Sequence, residues 1–171
     1  MIWRCDLIPQ YEKYKKEIDE SIERVLHSGR YILSAEVAEF EKDFANYIGA
    51  NYSISVANGT DGLILSLMAF GIGRGDEVIT TPFTAIPTLS AIIDSGARPV
   101  FVDIDPDTFL IDLNKIDSAI TSRTKAIMPV HIFGNVVDIP KLRKIIGQNI
   151  KIIEDASQSH GSKLNGIQSG S

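Results

Sequence analysis

From residue 52 onward, short apolar runs alternate with helix-like stretches, and this alternation is the strongest constraint on the fold. The apolar runs are YSISVA (52–57), EVITT (77–81), PVFVDI (99–104), KAIMPVHIF (125–133) and IKIIEDA (150–156). Runs that are apolar almost throughout are typical of strands covered on both faces of a parallel sheet. The pattern therefore predicts an α/β fold with a mostly parallel sheet and flanking helices.

The stretches between these runs, and the whole N-terminal region, have helical patterns. The stretches between the runs cover residues 60–71, 85–96, 112–120 and 139–146. Apolar and aromatic residues from Tyr11 to Leu26 recur at helical spacing and predict a helix from about residue 10 to 27. Ser34 can cap a second helix. We therefore expect an N-terminal helical arm, residues 1–50, and a sheet-bearing part, residues 51–171.

Composition argues against several classes of function. The chain has 171 residues and a formal net charge of −5, and it has no basic cluster interleaved with aromatic residues, so no nucleic-acid partner is expected. There is neither a membrane-length apolar run nor a secretion signal at the N-terminus, so a cytoplasmic location is expected. Cys5 stands alone and the three histidines lack ligand spacing, so neither a disulfide nor a metal site is expected.

The turn in VANGTDG, residues 56–62, leads from an apolar run into a helix-like stretch. Free N–H groups at a helix N-terminus, together with the helix dipole, form a site for an anion. Gly59 would let a phosphate approach the backbone, and the Thr60 hydroxyl would add a donor. Asn58 and Thr60 would serve equally well as ordinary helix caps, so the turn alone leaves both interpretations open.

Phe83 follows the apolar run EVITT, between Pro82 and Thr84. At the end of a strand, its ring would be placed to stack on a flat ligand. A core aromatic is the alternative, and the local sequence favours that alternative.

The stretch IIEDASQSHG, residues 152–161, places Asp155 at the tip of an apolar run and Gln158 three residues later. A carboxylate there suits a ligand with a protonated ring nitrogen, although a helix cap or a metal site is also compatible. A phosphate-binding turn, an aromatic ring and a carboxylate at neighbouring strand ends together fit pyridoxal phosphate (PLP). This cofactor needs an anchored phosphate and an acid that keeps its pyridine nitrogen protonated.

Four long strings resemble the DegT/DnrJ/StrS family of PLP-dependent sugar aminotransferases in order and spacing. They are NGTDGLILSLMAFGIGRGDEVIT, GARPVFVDIDPDTFLID, TKAIMPVHIFG and IIEDASQSHGSKLNG, and the likeness extends from about residue 6 to the last residue. The resemblance implies a partial type I aminotransferase fold, in which residues 51–171 are the first part of the PLP-binding large domain. It also implies an enzyme of nucleotide-sugar and polysaccharide biosynthesis.

Several residues acquire roles from this resemblance. Gly59 and Thr60 would bind the phosphate, Asp155 would pair with the pyridine nitrogen, and Gln158 would contact the ring hydroxyl. Ala85 occupies the position where the family usually places an aromatic ring over the pyridine. Weaker PLP binding is therefore expected, although Phe83, two residues earlier, would cover part of the ring if it turned toward it.

Ser157 and His160 are interpreted as structural residues, a buried hydroxyl and a hydrogen-bonded imidazole. The resemblance places the Schiff-base lysine of the family at a position after residue 171, the last residue of this sequence, so no catalytic residue is assigned. Lys163 is interpreted as a solvated lysine on a hairpin with Asn165 and Gly166 at its corner.

The resemblance further implies a nucleotide-linked keto-sugar as amine acceptor, glutamate as donor, and a homodimer or other self-association. On this interpretation the chain is an N-terminal fragment that binds PLP weakly or not at all and is inactive alone. Two alternatives remain: a non-catalytic remnant or partner of a full-length relative, and a doubly wound nucleotide-binding domain. The absence of a Gly-x-Gly-x-x-Gly string after the first run argues against the second alternative.

Overall fold

The computed structural model describes residues 6–171, so Cys5 lies outside the described residues. The described helices are α1 (Ile8–Ser28), α2 (Ala35–Ile48), α3 (Gly59–Ala69), α4 (Ile86–Asp94), α5 (Ile116–Ala119) and α6 (Ile139–Ile146). Short 3-10 helices cover Leu113–Lys115 and Ile132–Gly134. The described strands are β1 (Glu77–Thr80), β2 (Arg98–Phe101), β3 (Thr124–Ile127), β4 (Lys151–Ile152), β5 (Lys163–Leu164) and β6 (Ile167–Gln168).

Four strands form a parallel sheet in the order β2-β1-β3-β4. Because all four run in the same direction, the loops that follow them emerge at one edge, where ligands bind in open α/β sheets. Beyond β3 and β4 the pairing resumes in a single parallel bridge between Val130 and Asp155. This confirms the predicted α/β class and carries Asp155 to the carboxyl edge of the sheet.

The two faces of the sheet pack against separate apolar clusters, as expected for strands that are apolar throughout. Val78 and Ala126 point to the face covered by α3 and α4, whereas Ile79 and Ile127 point to the other face, which α6 covers. All four residues are fully buried. Consecutive residues of β1 and β3 thus alternate between the two clusters because side chains in a strand point to opposite faces.

The prediction of a strand at residues 52–57 is wrong. The segment forms no β-ladder within residues 6–171, and Tyr52, Ile54 and Val56 are all exposed. Its backbone has one hydrogen bond of note, from the Ser55 N–H to Glu41 Oε1 at 2.6 Å. An apolar run becomes a strand only if a neighbouring backbone can pair with it, and none of the described residues pairs with this one.

The predicted helices and hairpin are confirmed with small shifts in their ends. Ser34 precedes α2 as expected, although its side chain makes no capping hydrogen bond. β5 and β6 pair antiparallel around Asn165 and Gly166, whose φ angles of 52° and 82° suit a two-residue hairpin turn. Within residues 6–171, no helix has both the length and the apolar character needed to cross a membrane.

At the amino edge of the sheet, the buried carboxylate of Glu77 connects β1 with β2 and with the loop that precedes β3. It accepts hydrogen bonds from Arg98 Nη2 and Thr121 Oγ1, both at 2.6 Å, and it pairs with Arg123 Nη2 at 2.7 Å. The Thr121 hydroxyl and the Arg98 guanidinium lower the pKa of Glu77 from its ordinary 4.5 to about 2. The ionised carboxylate therefore stabilises the edge of the sheet opposite the carboxyl ends.

Replacing Glu77 by glutamine is expected to lower the free energy of unfolding at neutral pH. It should also make the free energy of unfolding depend less on pH in the acid range. Because the folded pKa is lower than the unfolded one, the contribution of Glu77 is fully present above pH 4.5 and is lost as the pH falls toward 2. Urea denaturation at pH 7 and at steps from pH 4.5 to 2 measures both effects. Glu12→Gln, on the exposed surface of α1, is the control. If the free energy of unfolding of Glu77→Gln fell as steeply toward pH 2 as that of the unsubstituted chain, the stabilising role of the ionised Glu77 carboxylate would be contradicted.

Candidate functional site

A cavity of about 180 Å³ opens at the carboxyl edge of the sheet. It lies among the start of α3, the loop before α4, and the segments that follow β3 and β4. The five residues that the sequence singled out for a cofactor all line it: Gly59, Thr60, Ala85, Asp155 and Gln158. The fold thus brings together residues that are almost one hundred positions apart in sequence.

The N-terminus of α3 forms one wall of this cavity. Asn58 caps the helix, since its side-chain oxygen accepts a hydrogen bond from the Asp61 N–H at 2.9 Å. The ladder of the helix begins with the Gly62 N–H bonded to the Asn58 carbonyl, so the N–H groups of Gly59 and Thr60 have no acceptor within the helix. Capping is therefore the role of Asn58, while Gly59 and Thr60 keep donors that suit an anion.

Asp155 lies opposite this helix end and is largely buried. Its backbone is held by two hydrogen bonds, one from its own N–H to the Pro129 carbonyl and one from the His131 N–H to its carbonyl. Its carboxylate accepts hydrogen bonds of 2.7 Å from Thr88 Oγ1 and from Ser157 Oγ. The carboxylate is therefore fixed in position, and it is neither a helix cap nor part of an acidic cluster.

Sequence reasoning missed the role of Thr88 and interpreted Ser157 as a buried structural hydroxyl. Ser157 is exposed and its hydroxyl bonds to Asp155, whereas Thr88 is fully buried although it is 67 positions away in sequence. Thr84 lies in the loop before α4 and Thr88 in the first turn of that helix, so no helix-face pattern in the sequence marked Thr88 as a partner of Asp155.

Gln158 is exposed, and its side chain is oriented by the backbone of the loop after β3. Its Oε1 accepts a hydrogen bond of 2.9 Å from the Phe133 N–H. The two N–H donors of its amide are therefore left for a ligand in the cavity. Phe133 has a φ of 56°, an uncommon value for a bulky residue, and this conformation places its N–H next to Gln158.

No aromatic ring among residues 6–171 takes the place that Ala85 leaves open. Ala85 precedes α4 in an extended conformation and contributes only a methyl group to the cavity. Phe83 does not line the cavity, because its ring packs against Phe109 and Phe133 with centroids 5.7 and 6.1 Å away. Phe83 is thus neither a core aromatic nor a cover for a ring in this site.

His131 and Glu154 form a second polar pair, which sequence reasoning did not identify; His131 lines the cavity and Glu154 does not. His131 is fully buried, and its Nδ1 accepts a hydrogen bond of 3.0 Å from the Val137 N–H. The proton must therefore lie on Nε2, which donates to Glu154 Oε2 at 2.8 Å. The same oxygen accepts from the Gly170 N–H, so the pair ties the C-terminal segment to the segment after β4 that carries Asp155.

Two other residues of the sequence analysis lie away from the cavity. His160 is exposed and contacts the ring of Phe44 edge-on at 6.1 Å, rather than forming the expected hydrogen bond. Lys163 is exposed in β5, as expected.

A larger cavity of about 740 Å³ lies between α6 and the β5–β6 hairpin. Its lining includes Arg143, Lys144, Glu154 and the start of α6, but at that start Pro140 has no N–H group and the Lys141 N–H is already bonded to Asp138. The smaller cavity has the more specific chemistry, because an anion site, a carboxylate and an amide converge there.

This donor set fits a phosphorylated pyridine. The N-terminus of α3 suits the phosphate, Asp155 suits a protonated ring nitrogen, and the amide of Gln158 suits a ring oxygen. The side of the cavity at Ala85 offers little contact to the face of the ring, which favours weak binding.

Comparisons with known proteins agree with this geometry. The sequence profile of the DegT/DnrJ/EryC1/StrS aminotransferase family matches residues 12–171. A dTDP-3-amino-3,6-dideoxy-alpha-D-galactopyranose transaminase from Aneurinibacillus thermoaerophilus is 49% identical over 172 residues, which cover 100% of this chain and 47% of the relative.

Two solved structures are similar to the whole fold. A DegT DnrJ EryC1 StrS aminotransferase from Brucella abortus superposes with a TM-score of 0.95 at 38% identity, covering 99% of this chain and 48% of the other. NtdA from Bacillus subtilis, with bound cofactor PMP (pyridoxamine phosphate), has a TM-score of 0.86 at 36% identity, covering 92% and 36%. The chain thus spans about half the length, or less, of the relatives it matches.

Proposed function

Because the chain belongs to the DegT/DnrJ/EryC1/StrS aminotransferase family, we propose that it forms the cofactor-binding part of a PLP-dependent nucleotide-sugar aminotransferase. The acceptor would be a nucleotide-linked keto-sugar and the amine donor glutamate. The observation that carries the proposal is the convergence of the α3 N-terminus, Asp155 and Gln158 in one cavity.

Different residues of the cavity bind different groups of the cofactor. The N–H groups of Gly59 and Thr60, with the Thr60 hydroxyl, bind the phosphate at the positive end of the helix dipole. The Asp155 carboxylate holds a proton on the ring nitrogen, and Gln158 donates to the ring hydroxyl. When bound, the cofactor supplies an electron sink for breaking bonds next to the amine.

The chain alone is proposed to bind the cofactor weakly and to be unable to transfer an amino group. No lysine among residues 6–171 lines the cavity. A lysine that holds the cofactor covalently must therefore come from another segment of polypeptide. Self-association, including a homodimer, is part of the same proposal, because apolar side chains such as Ile54 and Met68 are exposed.

A chimera tests this proposal. Residues 1–171 are joined to the part of the Aneurinibacillus relative that they do not match, and amino transfer is assayed between glutamate and the keto-sugar of that relative. We expect transaminase activity, and we expect none in the same chimera carrying Asp155→Ala, since the ring nitrogen loses its acid partner.

The outcome of this experiment separates the two remaining functions. Activity that depends on Asp155 supports an aminotransferase. A chimera that folds and binds PMP but transfers no amine would overturn the catalytic proposal and favour a non-catalytic partner of a full-length relative. The exposed, unpaired segment 52–57 is the observation that makes the second candidate worth testing.

A further inference from the structure

The carboxylate of Asp155 is held from two sides by hydroxyl groups of different elements. Thr88, in α4, donates to Oδ2 at 2.7 Å. Ser157, two residues after the aspartate, donates to Oδ1 through its hydroxyl at 2.7 Å and through its backbone N–H at 3.3 Å. Thr88 is fully buried and Ser157 is exposed. Because the two hydroxyls hold different oxygens of the carboxylate, the carboxylate cannot rotate without breaking at least one of these bonds.

The count of acceptor sites shows which oxygen is left for a ligand. An ionised carboxylate offers about four lone-pair sites, two on each oxygen. Within residues 6–171, Oδ1 already accepts two hydrogen bonds, both from Ser157, whereas Oδ2 accepts one, from Thr88. The site that remains is on Oδ2.

The direction of the hydrogen bonds around Thr88 follows from the same chemistry. The carboxylate only accepts, so the hydroxyl proton of Thr88 points to Asp155. The oxygen of Thr88 must then accept from Thr84 Oγ1, which lies 2.8 Å away. Thr84, Thr88 and Asp155 thus form one directed chain of hydrogen bonds, in which each donor strengthens the next.

We propose that Thr88 and Ser157 are positioning residues that present the free lone pair of Asp155 Oδ2 to the ring nitrogen of the cofactor. Thr84 supports Thr88 in this role. The inference rests on the proposed function, since it assigns the ring nitrogen as the group that Asp155 faces. On this proposal α4, which carries Thr88, helps to orient the Asp155 carboxylate together with the segment after β4 that carries the aspartate.

Four single variants of the chain test the proposal: Thr88→Val, Thr88→Ser, Ser157→Ala and Thr80→Val. Thr80→Val is the matched control, because Thr80 is also a fully buried threonine that donates one hydrogen bond, in its case to the Met128 carbonyl at 2.9 Å. It removes the same atoms from a similar environment without touching Asp155.

The first readout is the binding of PMP, followed by absorbance and by the ¹⁵N signal of its ring nitrogen across pH. We expect Thr88→Val to weaken binding about tenfold and to move the protonation of the ring nitrogen to lower pH, as expected for loss of a hydrogen bond to a charged group. Thr88→Ser should restore both properties. Thr80→Val should leave the titration of the ring nitrogen unchanged.

The second readout needs no cofactor and separates this inference from the proposed function. Three-bond couplings measure the side-chain rotamer of Asp155 in the chain alone, where we expect one rotamer in the unsubstituted chain and in Thr80→Val. Averaged rotamers are expected in Thr88→Val and in Ser157→Ala. If PMP does not bind, the cofactor proposal fails, and this measurement still decides the positioning role. A single Asp155 rotamer in all variants, or equal loss of PMP affinity in Thr88→Val and Thr80→Val, would overturn it.

Discussion

Replacing Asp155 by alanine is expected to weaken PMP binding by roughly two orders of magnitude, enough to make a weak complex undetectable. The carboxylate is largely buried and already oriented, so the ring nitrogen would lose a charged partner that needs no reorganisation. Titration of the chain with PMP, followed by the absorbance of the pyridine ring, measures the change.

Two further variants serve as comparisons for Asp155→Ala. Glu154→Gln removes the neighbouring carboxylate, which faces His131 and does not line the cavity, and it should leave PMP affinity within about threefold. Asp155→Asn keeps the shape but not the charge, so its affinity should fall between those of the unsubstituted chain and Asp155→Ala. Equal PMP affinity in Asp155→Ala and Glu154→Gln would show that Asp155 does not face the cofactor.

Replacing Leu67 by alanine is expected to lower the free energy of unfolding by about 2–5 kcal/mol. Leu67 lies in α3, is fully buried and belongs to the apolar cluster that contains Val78 and Met128. A loss of this size is a large part of the total stability of an ordinary domain, about 5–15 kcal/mol. Urea denaturation followed by circular dichroism provides the measurement.

Leu65→Ala is the matched control for this prediction. Leu65 is the same residue in the same helix, but 49% of it is exposed, so the change should cost less than about 1 kcal/mol. Similar losses in the two variants would mean that the inner face of α3 is not packed as described. Since α3 also carries Gly59 and Thr60, Leu67→Ala should weaken PMP binding more than Leu65→Ala does.

Hydrophobic periodicity could predict those strands for which the described chain itself supplies the pairing strands and the covering helices. The apolar runs at 77–81 and 125–133 became β1 and β3, because the described chain supplies strands to pair with them and helices to cover them. The run at 52–57 is also largely apolar, but whether it forms a strand depends on a neighbouring backbone, which no local pattern records.

The candidate site shows a similar division. The common position of Gly59, Thr60, Asp155 and Gln158 around one cavity could be predicted, because strand ends and helix starts have recognisable sequences; their role in binding a cofactor stays a prediction. The hydroxyl of Thr88 and the direction of the Phe83 ring could not, since each depends on contacts with residues far away in sequence. The left-handed backbone of Phe133, which orients Gln158, is equally invisible in the sequence.

The unpaired segment 52–57 leads directly into the turn that carries Gly59 and Thr60. This turn is anchored on one side by the packing of α3, while the backbone before it lacks a ladder. The amide hydrogens of segment 52–57 should therefore exchange with solvent quickly. On the proposed function, a phosphate bound at the turn would have to meet part of the entropic cost of ordering the segment. Any backbone that pairs with the segment would remove that cost in advance. If the proposed function holds, strand pairing of this segment and cofactor binding would be thermodynamically linked, and each would raise the affinity of the other.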